Sequence, residues 1–114
     1  MSSAERIVDI DLALERAGGN ADLARELYQM LQKELPVYLS KIRRLYETGD
    51  FAALTETIHK LNGSATYCGV PQLKIASDSF ETDLKRGESD KYEAGLTRVL
   101  RAILEVMENP KLPL

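Results

Sequence analysis

Ile58-His59-Lys60-Leu61-Asn62-Gly63-Ser64-Ala65, followed by Gly69, is the stretch on which the reading of this chain turns. Phe51, Leu54, Ile58, Leu61, Ala65 and Cys68 recur in alternating steps of three and four residues. That period describes an amphipathic helix whose apolar stripe must be buried against neighbours. His59, the only histidine in 114 residues, is off the stripe. At about 100° per residue it points roughly 130° from the stripe's centre, with Thr55, Glu56, Asn62, Gly63 and Thr66 around it. Gly63 follows His59 by one turn on the same polar face. A glycine within a helix costs about 1 kcal/mol relative to alanine, so its presence needs a return. Close packing against a neighbouring helix is one such return, but an angle of about 170° from the stripe argues against it. The other is close approach by the backbone of a second protein beside the imidazole.

Outward from this helix, the chain reads as more of the same. Asp9 or Asp11 can cap a short helix through about Arg16, stopped by Gly18-Gly19. Asn20 is a candidate N-cap for a long segment carrying Leu23, Leu27, Met30, Leu31 and Leu35, continued past Pro36 by Leu39, Ile42 and Leu45. Proline lacks the amide hydrogen and crowds the preceding turn, so a single kinked helix is expected there. Gly49 and Asp50 suit the end of that helix and the cap of the next, over about 51–67. Pro71 opens a further helix, with Leu73, Ala76, Phe80 and Leu84 as its buried stripe and Gly87 as its stop. Ser89 or Asp90 would cap the last helix, whose wide apolar face runs from Tyr92 through Leu96, Val99, Leu100, Ile103 and Val106 to Met107. No stretch has a β-branched period of two, so a sheet is not expected. The fold class is all-α: an antiparallel up-down-up-down four-helix bundle with a short extra N-terminal helix. One domain over residues 1–114 is expected, with 1–8 and 109–114 as loosely ordered tails.

The pattern resembles the histidine-containing phosphotransfer (HPt) family, whose hallmark is His-x-Leu-x-Gly-Ser/Ala-x-x-x-x-Gly in the second bundle helix. His59, Leu61, Gly63, Ser64 and Gly69 match it position by position. The likeness extends over most of the chain, through Ala17-Gly18-Gly19-Asn20 with Leu23 and Leu27, Gly49-Asp50, and Leu73 to Glu81. The run Gly69-Val70-Pro71-Gln72-Leu73 looks most like the C-terminal HPt module of hybrid sensor kinases of the BarA/GacS type. One position departs: the family usually has lysine three residues after the histidine, and here Asn62 stands there.

The resemblance implies a phosphorelay carrier that takes a phosphoryl group on His59 from a receiver-domain aspartate and passes it reversibly to a response-regulator aspartate. The chemistry of the residue suits this. A free imidazole, with a pKa of about 6.5, keeps a nucleophilic lone pair at neutral pH. Phosphoryl transfer then asks mainly for positioning and charge stabilisation. The family implies that Mg²⁺ and the acidic pocket belong to the partner receiver domain, and that Glu81, 22 positions after His59, orients the ring. An antiparallel turn near Gly69 independently brings residues around 78–82 beside His59. Asn62 can donate a hydrogen bond to a phosphoryl oxygen without the charge of lysine, with Lys60 or Lys85 as compensating cations. Gly63, Thr55 and Thr66 are the candidate partner-docking positions, and Ile7, Val8 and Leu12 are candidate apolar docking residues.

Other functions are disfavoured by what the chain contains. Basic residues are interleaved with carboxylates at a net charge of −3, which is no footprint for nucleic acid. A lone cysteine, nine residues or roughly 13 Å from His59 along the helix, makes neither a Cys–His pair nor a metal ligand set. Cys68 and the five tyrosines read as core or edge-of-core residues. No phosphate-binding glycine loop marks an ATP site, so no cofactor and no enzyme activity are expected. No apolar run approaches about 18 residues, so a cytoplasmic monomer without direct membrane contact is expected, freestanding or as the cytosolic end of a membrane-bound kinase. The rival readings are a helical docking module that never carries phosphate, and a hydrolase, for which no second catalytic group can be named.

Overall fold

The computed structural model describes residues 6–114. Five helices follow one another, α1 (Ile10–Arg16), α2 (Ala21–Thr48), α3 (Phe51–Thr66), α4 (Pro71–Arg86) and α5 (Tyr92–Met107). Three begin with a side-chain cap: Asp9, Asn20 and Asp50 accept from the amides of Leu12, Leu23 and Ala53 at 3.0, 3.0 and 3.1 Å. These bonds satisfy amides that a helix start leaves unpaired. Val70 has no capping side chain, and Pro71, with no amide hydrogen to satisfy, takes the first turn of α4 instead. The last helix starts differently from expectation. Ser89–Lys91 form a single 3-10 turn and α5 begins at Tyr92 without a side-chain cap, so neither Ser89 nor Asp90 caps it.

Helices α2 to α5 close into a ring in which α2 packs on α3 and α5, and α4 packs on α3 and α5. Pairs across the seams run in opposite order, Ser64 with Glu34 and Cys68 with Leu27 between α3 and α2, which makes those neighbours antiparallel. This is the all-α four-helix bundle expected from periodicity. Tyr28, Leu31, Leu35, Ile42, Leu54, Ile58, Leu61, Leu73, Phe80, Val99 and Ile103 are all but fully excluded from solvent and fill its centre. Pro36 lies inside α2 on the exposed side, where its missing amide disturbs the helix least. Phe51 ends the apolar stripe of α3 half out of the core, 39% exposed, with its ring 5.1 Å from Tyr92 and 6.0 Å from Tyr46.

The tails require a correction. Gln32 Nε2 donates to the carbonyls of Val106 and Asn109 at 2.8 and 3.0 Å, Tyr28 Oη donates to Asn109, and Leu112 is 5% exposed within the core. Residues 109–112 are thus fastened to α2. Ile7 and Val8 are half-buried against the core, and residues 1–5 lie outside the described ones.

α1 is seated by Gly69. The Asp9 amide donates to the Gly69 carbonyl at 2.8 Å, and a Cβ on Gly69 would stand 2.5 Å from the Asp9 carbonyl oxygen and 2.8 Å from the Ala13 nitrogen. Its φ of +66° is also one that other residues rarely adopt. Gly49 has φ +74° but open space around it, so the two glycines separate strain from crowding. Gly69→Ala is expected to lower unfolding free energy by about 2–3 kcal/mol, against about 1 kcal/mol for Gly49→Ala, when both are compared by urea denaturation.

Candidate functional site

The α3–α4 seam carries the site. Burial of Leu54, Ile58 and Leu61 on one side of α3 turns His59 outward, and its side chain is 71% exposed. Opposite it, α4 buries Leu73, Ala76, Phe80 and Leu84. That register leaves Glu81 at the rim, its side chain 10% exposed and Oε2 2.8 Å from Nδ1 of His59. Lys85, one turn further along α4, places Nζ 2.6 Å from the same oxygen.

Burial works to raise the pKa of Glu81, but hydrogen bonds from Lys85 and His59, with their charges, outweigh it and hold the carboxyl below its ordinary range. An ionised carboxylate only accepts hydrogen bonds. When the imidazole is neutral, the proton between the two side chains therefore sits on Nδ1, and Nε2 carries the lone pair. The ring is thereby held in one orientation through Nδ1, on a side chain that is largely exposed.

Gly63 is exposed, and a Cβ built on it meets nothing within 4 Å. Close packing within the chain is excluded as the reason for this glycine. Gly95 shows what that case looks like, since a Cβ there would stand 2.6 Å from Cδ1 of Phe80. Thr55 and Thr66 are half-buried, and their hydroxyls donate to the carbonyls of Phe51 and Asn62 at 2.7 and 2.8 Å, which commits them to their own helix. Lys60 is exposed beside His59 in sequence.

Asn62 is placed differently from expectation. It is 7% exposed and turned into the seam, where its Nδ2 donates to Asp78 Oδ1 and its Oδ1 accepts from Lys74 Nζ. Lys74 also reaches Asp78 at 3.0 Å. The amide is engaged with α4 and is not displayed on the polar face beside the imidazole. Lys74 and Asp78 were not singled out in sequence, although the antiparallel pairing that sets Glu81 against His59 also sets Asp78 against Asn62.

Other candidates lie away from the seam. Leu12, Ile7 and Val8 are half-buried, and the latter two pack against the core, so they support the bundle; the exposed large apolar groups include Met30 and Val37 of α2 and Tyr67 just after α3. The Cys68 thiol is 4% exposed and donates to the carbonyls of Ser64 and Leu27 at 3.2 and 3.4 Å. Burial, with Glu34 nearby, pushes it up to about 12, so it stays a protonated core group. Among the described residues there is no group of three or more His, Cys, Asp or Glu placed to hold a metal ion, and no helix long and apolar enough to cross a membrane.

The arrangement defines a class of protein, a helical bundle that presents one oriented imidazole on its surface. The sequence profile of the Hpt domain matches residues 26–109, and the chain belongs to that family of phosphorelay carriers. It is 37% identical over 89 residues, 78% of its length, to the sensor histidine kinase GacS of Pseudomonas protegens. To the signal transduction histidine-protein kinase BarA of Shigella flexneri it is 36% identical over 102 residues, 90% of its length. The chain spans only about a tenth of these relatives, 10% and 11%. The crystal structure of the HPT domain of a hybrid histidine kinase from Shewanella superposes with a TM-score of 0.86 at 31% identity, covering 96% of this chain and 92% of that one.

The electrostatics of Glu81 give a pH test. Its folded pKa lies below the unfolded value of about 4.3, so the stability it adds is present above about pH 5 and is lost as pH falls through the folded pKa. Urea midpoints measured from pH 6 down to about pH 3 should therefore fall less in Glu81→Gln than in the wild type, with the two curves converging at the acid end.

Proposed function

We propose that this chain accepts a phosphoryl group on Nε2 of His59 from the aspartyl phosphate of a receiver domain and passes it reversibly to the aspartate of a response regulator. The observation that carries the reading is the exposed imidazole held through Nδ1 by an ionised, nearly buried Glu81. In the forward step the Nε2 lone pair attacks phosphorus as the bond from phosphorus to the aspartyl oxygen breaks, and the carboxylate leaves with that electron pair. The proton on Nδ1 stays between the ring and Glu81, whose negative charge balances the positive charge that develops on the ring. Nothing has to be deprotonated, so the reverse step follows the same path.

In this reading Mg²⁺ is carried by the receiver, and the chain works as a carrier without an ATP site. It acts as a monomer and serves as the cytoplasmic relay module of a larger sensor kinase. Gly63 is the position over which the receiver's backbone passes, and its open surroundings support that role.

The test is incubation of the purified chain with a phosphorylated receiver domain and Mg²⁺, followed by acid and base treatment of the label. An acid-labile, base-stable phosphoryl group on the wild type and none on His59→Gln is expected. An unlabelled wild type, with the receiver still bound, would replace the carrier by a docking module. Gly63→Gln should melt no lower than the wild type, since it replaces a helical glycine in open space, and should slow transfer from the receiver by about tenfold or more, because small misplacements of reacting atoms are expensive in rate. Glu81→Ala should also slow transfer, by freeing the ring, and equal rates would remove Glu81 from the site.

A further inference from the structure

Two polar clusters lie one helical turn apart on the α3–α4 seam, and they share one construction. In each, a carboxylate of α4 faces a polar side chain of α3 and pairs with a lysine four residues away on α4: Glu81 with His59 and Lys85, Asp78 with Asn62 and Lys74. The imidazole thus lies along the seam between two ammonium groups. They differ in the carboxylate they serve. Lys85 lies 2.6 Å from a carboxylate that is 10% exposed and is the compensating charge that carboxylate needs. Lys74 pairs with Asp78, whose side chain is 54% exposed and is solvated by water as well.

Lys74 has three N–H donors, of which two go to Asn62 and Asp78. One remains for a further acceptor. Its ammonium is brought to the level of Asn62, three residues or about 4.5 Å along the helix axis from His59. Physiological salt screens charges over about 8 Å, a length greater than that axial offset. A phosphoryl group on His59 would add nearly two negative charges beside Glu81 and Asp78, so a nearby positive charge with one donor to spare matters to whether it forms and persists.

We propose that Lys74, held in place by Asn62 and Asp78, is the cation that stabilises the phosphoryl group carried on His59. The inference rests on the carrier reading above. Asn62 then acts as a positioning residue that steers the lysine and makes no direct contact with phosphate.

The experiment uses phosphoramidate as the donor, with label on His59 followed by phosphorus NMR at low and high salt and thermal melting recorded for every variant. Lys74→Met should label about three- to tenfold more slowly than the wild type at low salt, and the deficit should shrink at about 1 M salt, where screening reaches 3 Å. Lys74→Arg should retain most of the rate. Adding Asn62→Lys to Lys74→Met should restore it, because the new ammonium starts from α3 at the same level. Asn62→Lys alone, which keeps Lys74, should label at least as fast as the wild type. Equal labelling of Lys74→Met and wild type would overturn the proposal. So would a deficit that ignores salt and is not restored by Asn62→Lys, the signature of a structural clamp. A wild type that takes no label would instead overturn the carrier reading itself.

Discussion

The contact between Glu81 and His59 is the constraint on which the rest of the site depends. An imidazole that is 71% exposed would ordinarily exchange among rotamers, and a partner could not rely on where its nitrogen lies. Here the ring is tied to a carboxylate that the bundle has almost closed over, and that carboxylate stays ionised because Lys85 repairs what burial takes away. The contact exists only in one register of α3 against α4. A shift of α4 by one residue would turn Glu81 by about 100° and take it out of reach. The register is held by apolar packing, with Ile58 and Leu61 on one helix and Leu73 and Phe80 on the other all at 0% exposure. Core packing is therefore a condition of the chemistry at the surface.

Much of this was legible in the sequence. The alternating three-and-four period of α3 gives the face on which His59 stands, and counting back from the turn at Gly69 sets Glu81 across from it. What escaped was the depth of Asn62. An apolar stripe marks the centre of a buried face but understates its width, and α3 packs against both α2 and α4. Its buried sector extends to Thr57 and Asn62, at 3% and 7% exposure, which lie beyond the stripe. The fastened tail escaped for another reason. Its anchors include backbone carbonyls that receive Tyr28 and Gln32, and a carbonyl has no residue identity to read. The 3-10 turn before α5 replaces a side-chain cap and leaves no mark in sequence either.

The three glycines compared above show why a motif cannot be read residue type by residue type. Gly95 is required by the ring of Phe80, Gly69 by the backbone of α1, and Gly63 by no contact among the described residues. The first two are explained by the fold. The third has no such explanation among the described residues, and it lies one turn from the imidazole on the exposed face of α3. That open position is what supports the docking role proposed for Gly63.

The polar seam also bears on how the bundle chooses its own arrangement. Ion pairs at a helix interface add little net stability, because desolvation offsets most of their attraction. At Asp78 the two effects oppose each other, burial raising its pKa and Asn62 and Lys74 lowering it, with the lowering prevailing. What such pairs do supply is discrimination between registers, because a slipped helix would part Glu81 from His59 and Asp78 from Asn62. Two clusters one turn apart specify the alignment of α3 and α4 more sharply than either would alone. The groups argued to serve the phosphoryl group are then the same ones that penalise every alignment in which they could not serve it.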